Sequence, residues 1–279
     1  MIWRPWPATG FTVIGNVNEH LSMKRKTAFT LVELLVVISV ISLMMAILMP
    51  ALGRARQQGK SVVCLSNLRQ MGVAAQSYVN DNDGYYPPAY VNDPDPYDDI
   101  AINACWDFTH TKNWSSLKES TEAGLLWQAE MIDKIQQCPA FKGPANSSDL
   151  YTGYNYNTSY IGHGEGETIE TPAKMSQVGR PSECALFGDG QWSGGANKFM
   201  RAPKKWAGDT DNSLKAAGTQ GYRHNGRTNV VWCDGHASSQ KEYYTETATS
   251  ERKKIEKYNE TAKNKIGFLS PDNSAYDLK

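Results

Sequence analysis

The most prominent pattern in the sequence is an uninterrupted apolar run near the N-terminus. From Phe29 to Met49 the chain reads FTLVELLVVISVISLMMAILM, 21 residues with a single charged side chain. As a helix this run would be about 31 Å long, the thickness of a bilayer core. The apolar core of a secretory signal peptide is shorter, about 7–15 residues. The pattern therefore predicts a membrane-spanning helix over residues 29–50.

After Pro50 the pattern becomes amphipathic. Apolar residues recur at steps of three and four, as on one helix face: Leu65, Leu68, Met71, Ala75 and Tyr78. The run Asn82-Asp83-Gly84, followed by two prolines, is typical of a helix end. The sequence thus predicts one long helix from Phe29 to about Asn82, with residues 51–83 packed on a domain.

Strand patterns dominate the rest of the chain. Three segments are predicted to be strands: Tyr151–Ile161, Cys184–Phe187 and Asn229–Asp234. Asp234-Gly235 between two strand-like runs predicts a hairpin with a two-residue loop. Short helices are predicted near Leu125–Ile135 and, at the C-terminus, over Glu251–Ile266.

These elements predict an α+β fold, a long N-terminal helix packed on an antiparallel β-sheet domain. The predicted organisation is a leader (1–28), a transmembrane helix (29–50), its amphipathic continuation (51–83), a β-rich domain (84–245) and a C-terminal helix and tail (246–279).

The balance of charges bears on whether the chain binds nucleic acid. There are 29 basic and 29 acidic residues, so the formal net charge is zero. A chain without a basic field is not expected to bind nucleic acid. The mean hydropathy of −0.53 is too polar for a polytopic membrane protein.

Glu33 is the unusual residue of the apolar run. A carboxylate within a membrane costs about 2.5–3.5 kcal/mol even on the scale derived from helix insertion. One interpretation is that Glu33, close to the helix start, reaches the lipid headgroups. The other is that it pairs with an α-amino group released by proteolysis just before Phe29.

The residues around Phe29 match a known signal. Lys24-Arg25-Lys26-Thr27-Ala28 followed by Phe29-Thr30-Leu31-Val32-Glu33-Leu34 resembles the leader of type IV prepilins and type II secretion pseudopilins. The resemblance implies that prepilin peptidase cleaves between Ala28 and Phe29 and methylates the new amine. It also implies that Glu33 pairs with the amine of a neighbouring subunit during assembly. Pro50 stands where many pilin helices carry a kinking proline, whereas Ala28 replaces the family's usual glycine.

The resemblance implies a structural protein and not an enzyme. Such a subunit assembles into a type II secretion pseudopilus or a type IV pilus-like filament. Its implied partners are prepilin peptidase, other pilin or pseudopilin subunits and an inner-membrane assembly platform. It would cross the cell inner membrane once, with a cytoplasmic N-terminus and a periplasmic or extracellular globular domain. Basic residues flank the helix on both sides, so charge alone does not orient it.

Residues 1–22 carry no periodic pattern and precede the family's typical leader. A start at Met23 would give the six-residue leader MKRKTA, and we favour a mis-assigned start codon over a long leader.

A second resemblance lies near the C-terminus. His224, separated by nine residues from Asp234-Gly235, resembles a segment found alongside prepilin leaders in planctomycete-like bacteria. Further pieces of that pattern are Cys64-Leu-Ser-Asn67-Leu68-Arg69-Gln70, Asn82-Asp83-Gly84-Tyr85 and Cys138-Pro139. The resemblance assigns no role to His224, Asp234 or Gly235.

On chemistry alone, His224, Asp234 and His236 could form a metal triad or an acid–base pair. The alternative is a histidine bonded to nearby backbone beside an Asp-Gly turn, and a hairpin tip is a poor place for a preorganised site. Two functions other than a filament subunit stay open. One is an exported metal-dependent hydrolase built on these residues, and the other is an exported carbohydrate- or surface-binding module.

No cofactor is certain from the sequence. Five cysteines follow the membrane helix, Cys64, Cys105, Cys138, Cys184 and Cys233, and an odd number leaves at least one unpaired if disulfides form. The acidic loop Asp93–Asp99 is a candidate for the calcium site that major pseudopilins commonly carry, with unassigned ligands.

Overall fold

The computed structural model describes residues 29–93, 99–127, 137–144, 153–163, 171–193, 195–204, 218–245 and 261–279. The chain divides into two compact units, Met1–Met49 and Pro50–Lys279. Helix α1 spans Leu31–Asp81, so it contributes to both units. Its ends lie within two residues of the predicted ones.

The part of α1 in the first unit presents apolar side chains outward. Leu31 is 86% exposed and Ile47 69% exposed, and residues between them are exposed as well. Within the described residues, α1 is the helix that is long and apolar enough to cross a membrane.

The C-terminal end of α1 is fixed by its backbone. Gly84 donates its N–H to the carbonyl oxygen of Val79 at 3.0 Å, and Asp83 has a left-handed φ of 51°. This is a Schellman-type helix end, as predicted, with an aspartate in the left-handed position.

The part of α1 in the second unit buries one face. Its buried side chains recur at steps of three and four: Cys64, Leu68, Met71, Ala75 and Val79. They join a core cluster with Tyr156, Phe187 and Val231 of the sheet described below. Leu65 and Tyr78, predicted on this face, are only half-buried, since the face is centred one residue away.

Within the described residues, the strands form three sheets. In chain order they are β1 (Tyr90–Asp93), β2 (Ile100–Cys105), β3 (Phe108–Asn113), β4 (Lys118–Ala123), β5 (Asn155–Asn157), β6 (Ala185–Gly188), β7 (Phe199–Met200), β8 (Gln220–Gly221), β9 (Thr228–Trp232), β10 (Ala237–Gln240) and β11 (Ile266–Gly267). β1–β4 form an antiparallel meander, and β8 pairs with β11. The central sheet has the order β10-β9-β6-β5-β7 and is antiparallel except for the pair β5–β7. The predicted α+β class, a long apolar helix followed by mainly antiparallel sheets, is confirmed.

Individual strand predictions had mixed outcomes. β6 and β9 lie within two residues of the predicted Cys184–Phe187 and Asn229–Asp234. The predicted strand Tyr151–Ile161 was too long: among its described residues, 153–161, the strand covers Asn155–Asn157 and a turn begins at Thr158. The meander was not predicted, because strands such as the mostly exposed β4 lack an apolar alternation.

The loop between β9 and β10 corrects the predicted hairpin. Trp232 donates its N–H to the His236 carbonyl oxygen, and Gly235 donates its N–H to the Trp232 carbonyl oxygen, both at 2.9 Å. Gly235 has a φ of +87°. The loop therefore has three residues, a turn followed by a left-handed glycine, and not two.

A two-residue loop lies instead at Asn225-Gly226. His224 and Arg227 exchange both backbone hydrogen bonds, at 3.0 and 3.1 Å. Both loop residues have positive φ, 54° and 77°, as a type I′ turn requires. This turn sets the position of His224 just before β9.

The helix predicted near Leu125–Ile135 lies mainly outside the described residues, which include a turn at Leu125 and Leu126. Most of the predicted terminal helix is also outside them. Helix α2 (Thr261–Asn264) belongs to it, but Ile266 is in β11 because Lys265 has a left-handed φ of 50°. That helix therefore ends earlier than predicted. The separation of residues 84–245 from 246–279 stays a prediction.

Gly72 marks the closest approach of α1 to the sheet. A Cβ atom on Gly72 would lie 2.9 Å from Val231 Cγ2, whereas one on Gly59 of the same helix would meet nothing within 4 Å. Both Gly→Ala changes favour the helix by about 1 kcal/mol, but overpacking against a central strand costs about 1–3 kcal/mol.

We therefore expect Gly72→Ala to be less stable than Gly59→Ala by about 1–3 kcal/mol. Chemical unfolding of the full-length chain in detergent, followed by tryptophan fluorescence, measures the difference. Equal stability of the two variants would show that α1 does not pack closely on β9.

Candidate functional site

The first candidate site is the start of α1. Ala28 lies outside the described residues, and Phe29 is 72% exposed. Thr30 donates its backbone N–H and its hydroxyl to Glu33 Oε2, at 2.8 and 2.7 Å, and Glu33 donates its N–H to Thr30 Oγ1 at 3.2 Å. These reciprocal bonds form a capping box.

This capping role of Glu33 was not predicted from the sequence. The signal was present, because Thr-x-x-Glu before an apolar run is the pattern of a capping box. Pro50 lies inside the helix, which continues through it. The roles of Phe29, Glu33 and Pro50 in processing and assembly stay predictions.

The second candidate site begins with His224 and Asp234, which lie in different surroundings. His224 is 2% exposed. Asp234 is on the exposed turn after β9, where its Oδ1 is 2.6 Å from His236 Nδ1 and accepts the His236 N–H at 3.0 Å. The five residues of β9 separate the two groups, at about 3.3 Å each. The three-residue metal triad is therefore not assembled, and His224 does not pair with Asp234; Asp234 and His236 contact each other on the exposed turn.

His224 instead belongs to a buried cluster of four side chains, the Cys-Cys-Asp-His cluster, formed by Cys64, Cys138, Asp189 and His224. Their potential ligand atoms all lie within 4.8 Å of one another. Cys64 donates its thiol hydrogen to Asp189 Oδ1 at 3.1 Å. His224 Nε2 is 3.2 Å from Asp189 Oδ2 and 3.4 Å from Cys138 Sγ.

Four separate stretches of chain supply these groups. Cys64 comes from α1 and Cys138 from the segment 137–144. Asp189 directly follows β6, and His224 precedes the type I′ turn that leads into β9. Asp189 was not identified from the sequence, because no local motif marks it.

Arg223 fills one side of the cluster. Its Nη2 is 3.1 Å from Asp189 Oδ1, and its Nε donates to Cys138 Sγ at 3.3 Å. Further bonds run to the carbonyl oxygens of Gly190, at 3.2 Å, and of Gly153. The backbone N–H of Asn229 donates to Asp189 Oδ2 at 2.7 Å.

The cluster combines burial with compensating charge. Burial raises the pKa of Asp189, and the charge of Arg223 partly offsets this rise. Burial lowers the pKa of His224, but hydrogen bonds to Asp189 and Cys138 outweigh it and bring that pKa to about 9. Burial also raises the pKa of Cys138. A side-chain hydrogen bond with Cys64 and the charges of Arg223 and His224 outweigh burial and lower the pKa of Cys138 well below its usual value. Burial raises the pKa of Cys64.

This geometry is unlike that of a nucleophilic cysteine. In a catalytic triad the nucleophile and the orienting carboxylate bond opposite nitrogens of the imidazole, whereas here both face Nε2. Nδ1 of His224 has no hydrogen-bond partner within the described part of the chain. The four donor atoms could instead surround a single metal ion.

The other cysteines lie elsewhere. Cys233 donates its backbone N–H to the carbonyl oxygen of Cys184 at 3.0 Å, and a side-chain hydrogen bond with Cys233 raises the pKa of the Cys184 thiol. Cys105 donates its thiol hydrogen to Asn103 Oδ1 at 2.8 Å. The loop proposed for calcium lies largely outside the described residues.

We expect Asp189→Asn to destabilise the protein by about 3–5 kcal/mol, because Arg223 would be left buried without a carboxylate. The matched change Asp234→Asn at the exposed turn should cost less than about 1 kcal/mol. Unfolding curves of the two variants in detergent test this difference. Comparable losses would mean that the buried charges are not paired as described.

Comparison with known proteins bears on the first site. A family model described as the prokaryotic N-terminal methylation motif matches residues 23–49. No curated protein and no solved structure matches the chain. The matched segment contains the basic leader, Glu33 and most of the exposed apolar helix. The chain thus carries a prepilin-type signal followed by a long apolar helix, which supports a membrane-anchored, exported, pilin-like subunit.

Proposed function

We propose that the protein is a pilin-like structural subunit that assembles into a type II secretion pseudopilus or a type IV pilus-like filament. Prepilin peptidase would first cleave between Ala28 and Phe29 and methylate the new amine. The observation that carries the proposal is the methylation motif at residues 23–49, which includes the exposed apolar part of α1.

The exposed helix supports assembly because its side chains favour an apolar environment. Burying one Leu or Ile side chain stabilises by about 1.5–3 kcal/mol, and the first unit exposes many of them. A bilayer can bury these side chains before assembly, and neighbouring copies of the same helix can bury them afterwards. The same surface thus serves both stages.

Glu33 supports assembly through its position. Cleavage before Phe29 would place a positive amine at the start of the helix, one turn from the carboxylate. In the single chain, Thr30 donates two hydrogen bonds to Glu33 Oε2. Within a bundle of apolar helices, an amine from a neighbouring subunit would provide the opposite charge that a buried carboxylate needs.

Processing would also settle the orientation that the flanking charges leave open. A peptidase acting on the cytoplasmic side requires the leader on that side. The apolar helix would then carry the chain across the inner membrane once. The globular domain, with all five cysteines, would then face the periplasm or the exterior. An inner-membrane assembly platform and other pilin-type subunits are the expected partners.

The proposal predicts that Glu33→Ala is cleaved and inserted into membranes but is depleted at least about tenfold from sheared filaments, the equivalent of about 1.4 kcal/mol per contact. The comparison is made by immunoblot of membrane and sheared fractions from the native host.

Thr30→Ala is the matched control. It removes the capping hydroxyl but keeps the carboxylate and the backbone N–H of residue 30, so its filaments should form. Filaments of Glu33→Ala at the wild-type level would contradict the pairing, and equal loss in both variants would assign Glu33 to helix capping alone.

A further inference from the structure

We propose that Cys64, Cys138, Asp189 and His224 bind a zinc ion that fastens α1 to the sheet domain. This site goes beyond the proposed function and does not depend on filament assembly, since it lies within the unit Pro50–Lys279.

The distances suit a single tetrahedral ion. Zinc bonds to sulfur, nitrogen and oxygen of about 2.0–2.3 Å give about 3.3–3.8 Å between neighbouring ligand atoms. The separations here are 3.1 Å for Cys64 and Asp189, 3.2 Å for His224 and Asp189, and 3.4 Å for His224 and Cys138. All four atoms lie within 4.8 Å of one another, so shifts of up to about 1 Å would complete the geometry.

The donor set selects the metal. Two thiolates, one imidazole and one carboxylate are ligands that zinc binds, whereas calcium and magnesium prefer oxygen alone. Each ligand residue is at most 2% exposed. Four protein ligands without access to solvent describe a closed, structural zinc site and not a catalytic one.

The charges also balance. Two thiolates and the Asp189 carboxylate carry three negative charges, and zinc together with Arg223 carries three positive ones. Binding would release the remaining thiol and imidazolium protons to solvent, with the imidazole neutral in the complex. The buried Arg223 thus compensates the charge that zinc alone would leave.

Neighbouring groups hold the ligands in place. Asp189 accepts from Arg223 Nη2 at 3.1 Å and from the Asn229 N–H at 2.7 Å, and Cys138 accepts from Arg223 Nε at 3.3 Å. The side chain of Asn229 also donates to Ser61 Oγ on α1 at 3.2 Å. Outer partners of this kind orient metal ligands.

The position of the site gives it a structural consequence. Its ligands come from α1, from segment 137–144 and from the ends of two loops of the central sheet, so one ion would join four stretches of chain. Metal affinity then adds to the stability of the folded domain. The alternative is a disulfide between Cys64 and Cys138, which would leave Asp189 and His224 without a ligand role.

Zinc content of the full-length chain tests the proposal. The protein is extracted from native membranes in detergent without chelators, and bound zinc is counted by mass spectrometry of the element. We expect one zinc per chain in the wild type and in Cys105→Ser, a buried cysteine outside the cluster. Cys64→Ser and His224→Gln should lose it at the same free zinc concentration.

Cobalt exchange keeps the proposal falsifiable if those variants do not fold. Wild-type protein stripped of zinc and loaded with cobalt should show thiolate-to-cobalt charge-transfer bands and the intense d–d bands of a tetrahedral site. The absence of zinc and of these bands would overturn the proposal. Full zinc content in Cys64→Ser would also overturn it. So would two peptides joined by a disulfide between Cys64 and Cys138 after digestion of the wild type without reductant. Filament yield does not enter either readout, so this proposal and the proposed function can fail separately.

Discussion

The apolar side chains of residues 31–49 are exposed in the single chain, and the proposed function depends on how they are covered. A surface of this length and composition requires a bilayer or other apolar helices to cover it. Further along the same helix, at Cys64, Leu68 and Met71, the buried face belongs to the globular unit. One helix therefore combines an exposed apolar segment, long enough to cross a membrane, with part of the core of the globular unit.

The second organising feature is polar. Asp189 and His224 are almost fully buried, and their charges are tolerated because Arg223, two cysteine side chains and a backbone N–H surround them. Pieces of sequence that were grouped only by resemblance meet here, since Cys64, Cys138 and His224 all belong to one cluster. Asp234-Gly235, the other end of the resemblance, forms an exposed three-residue turn. The nine-residue spacing thus places strand β9 between the buried His224 and the exposed turn at Asp234-Gly235.

Local patterns predicted some of this structure. Periodicity and an Asn-Asp-Gly stop placed both ends of α1, and the apolar runs in β6 and β9 were found because those strands are buried. The meander was missed because the exposed β4 has no apolar face to read. The cluster was missed because Cys138 and Asp189 meet only through tertiary folding, which no local spacing encodes. The true two-residue turn, Asn225-Gly226, was overlooked although both residues favour positive φ.

The mass of the N-terminal peptide of the protein, extracted from its native membranes, tests the central claim most directly. A prepilin-type subunit yields a peptide that begins at Phe29 and is heavier by one methyl group than the unmodified peptide. A mature protein that begins near Arg54 or Gln57 would show cleavage by signal peptidase after the apolar helix. The protein would then be a free secreted domain, and the anchored, pilin-like account would be wrong.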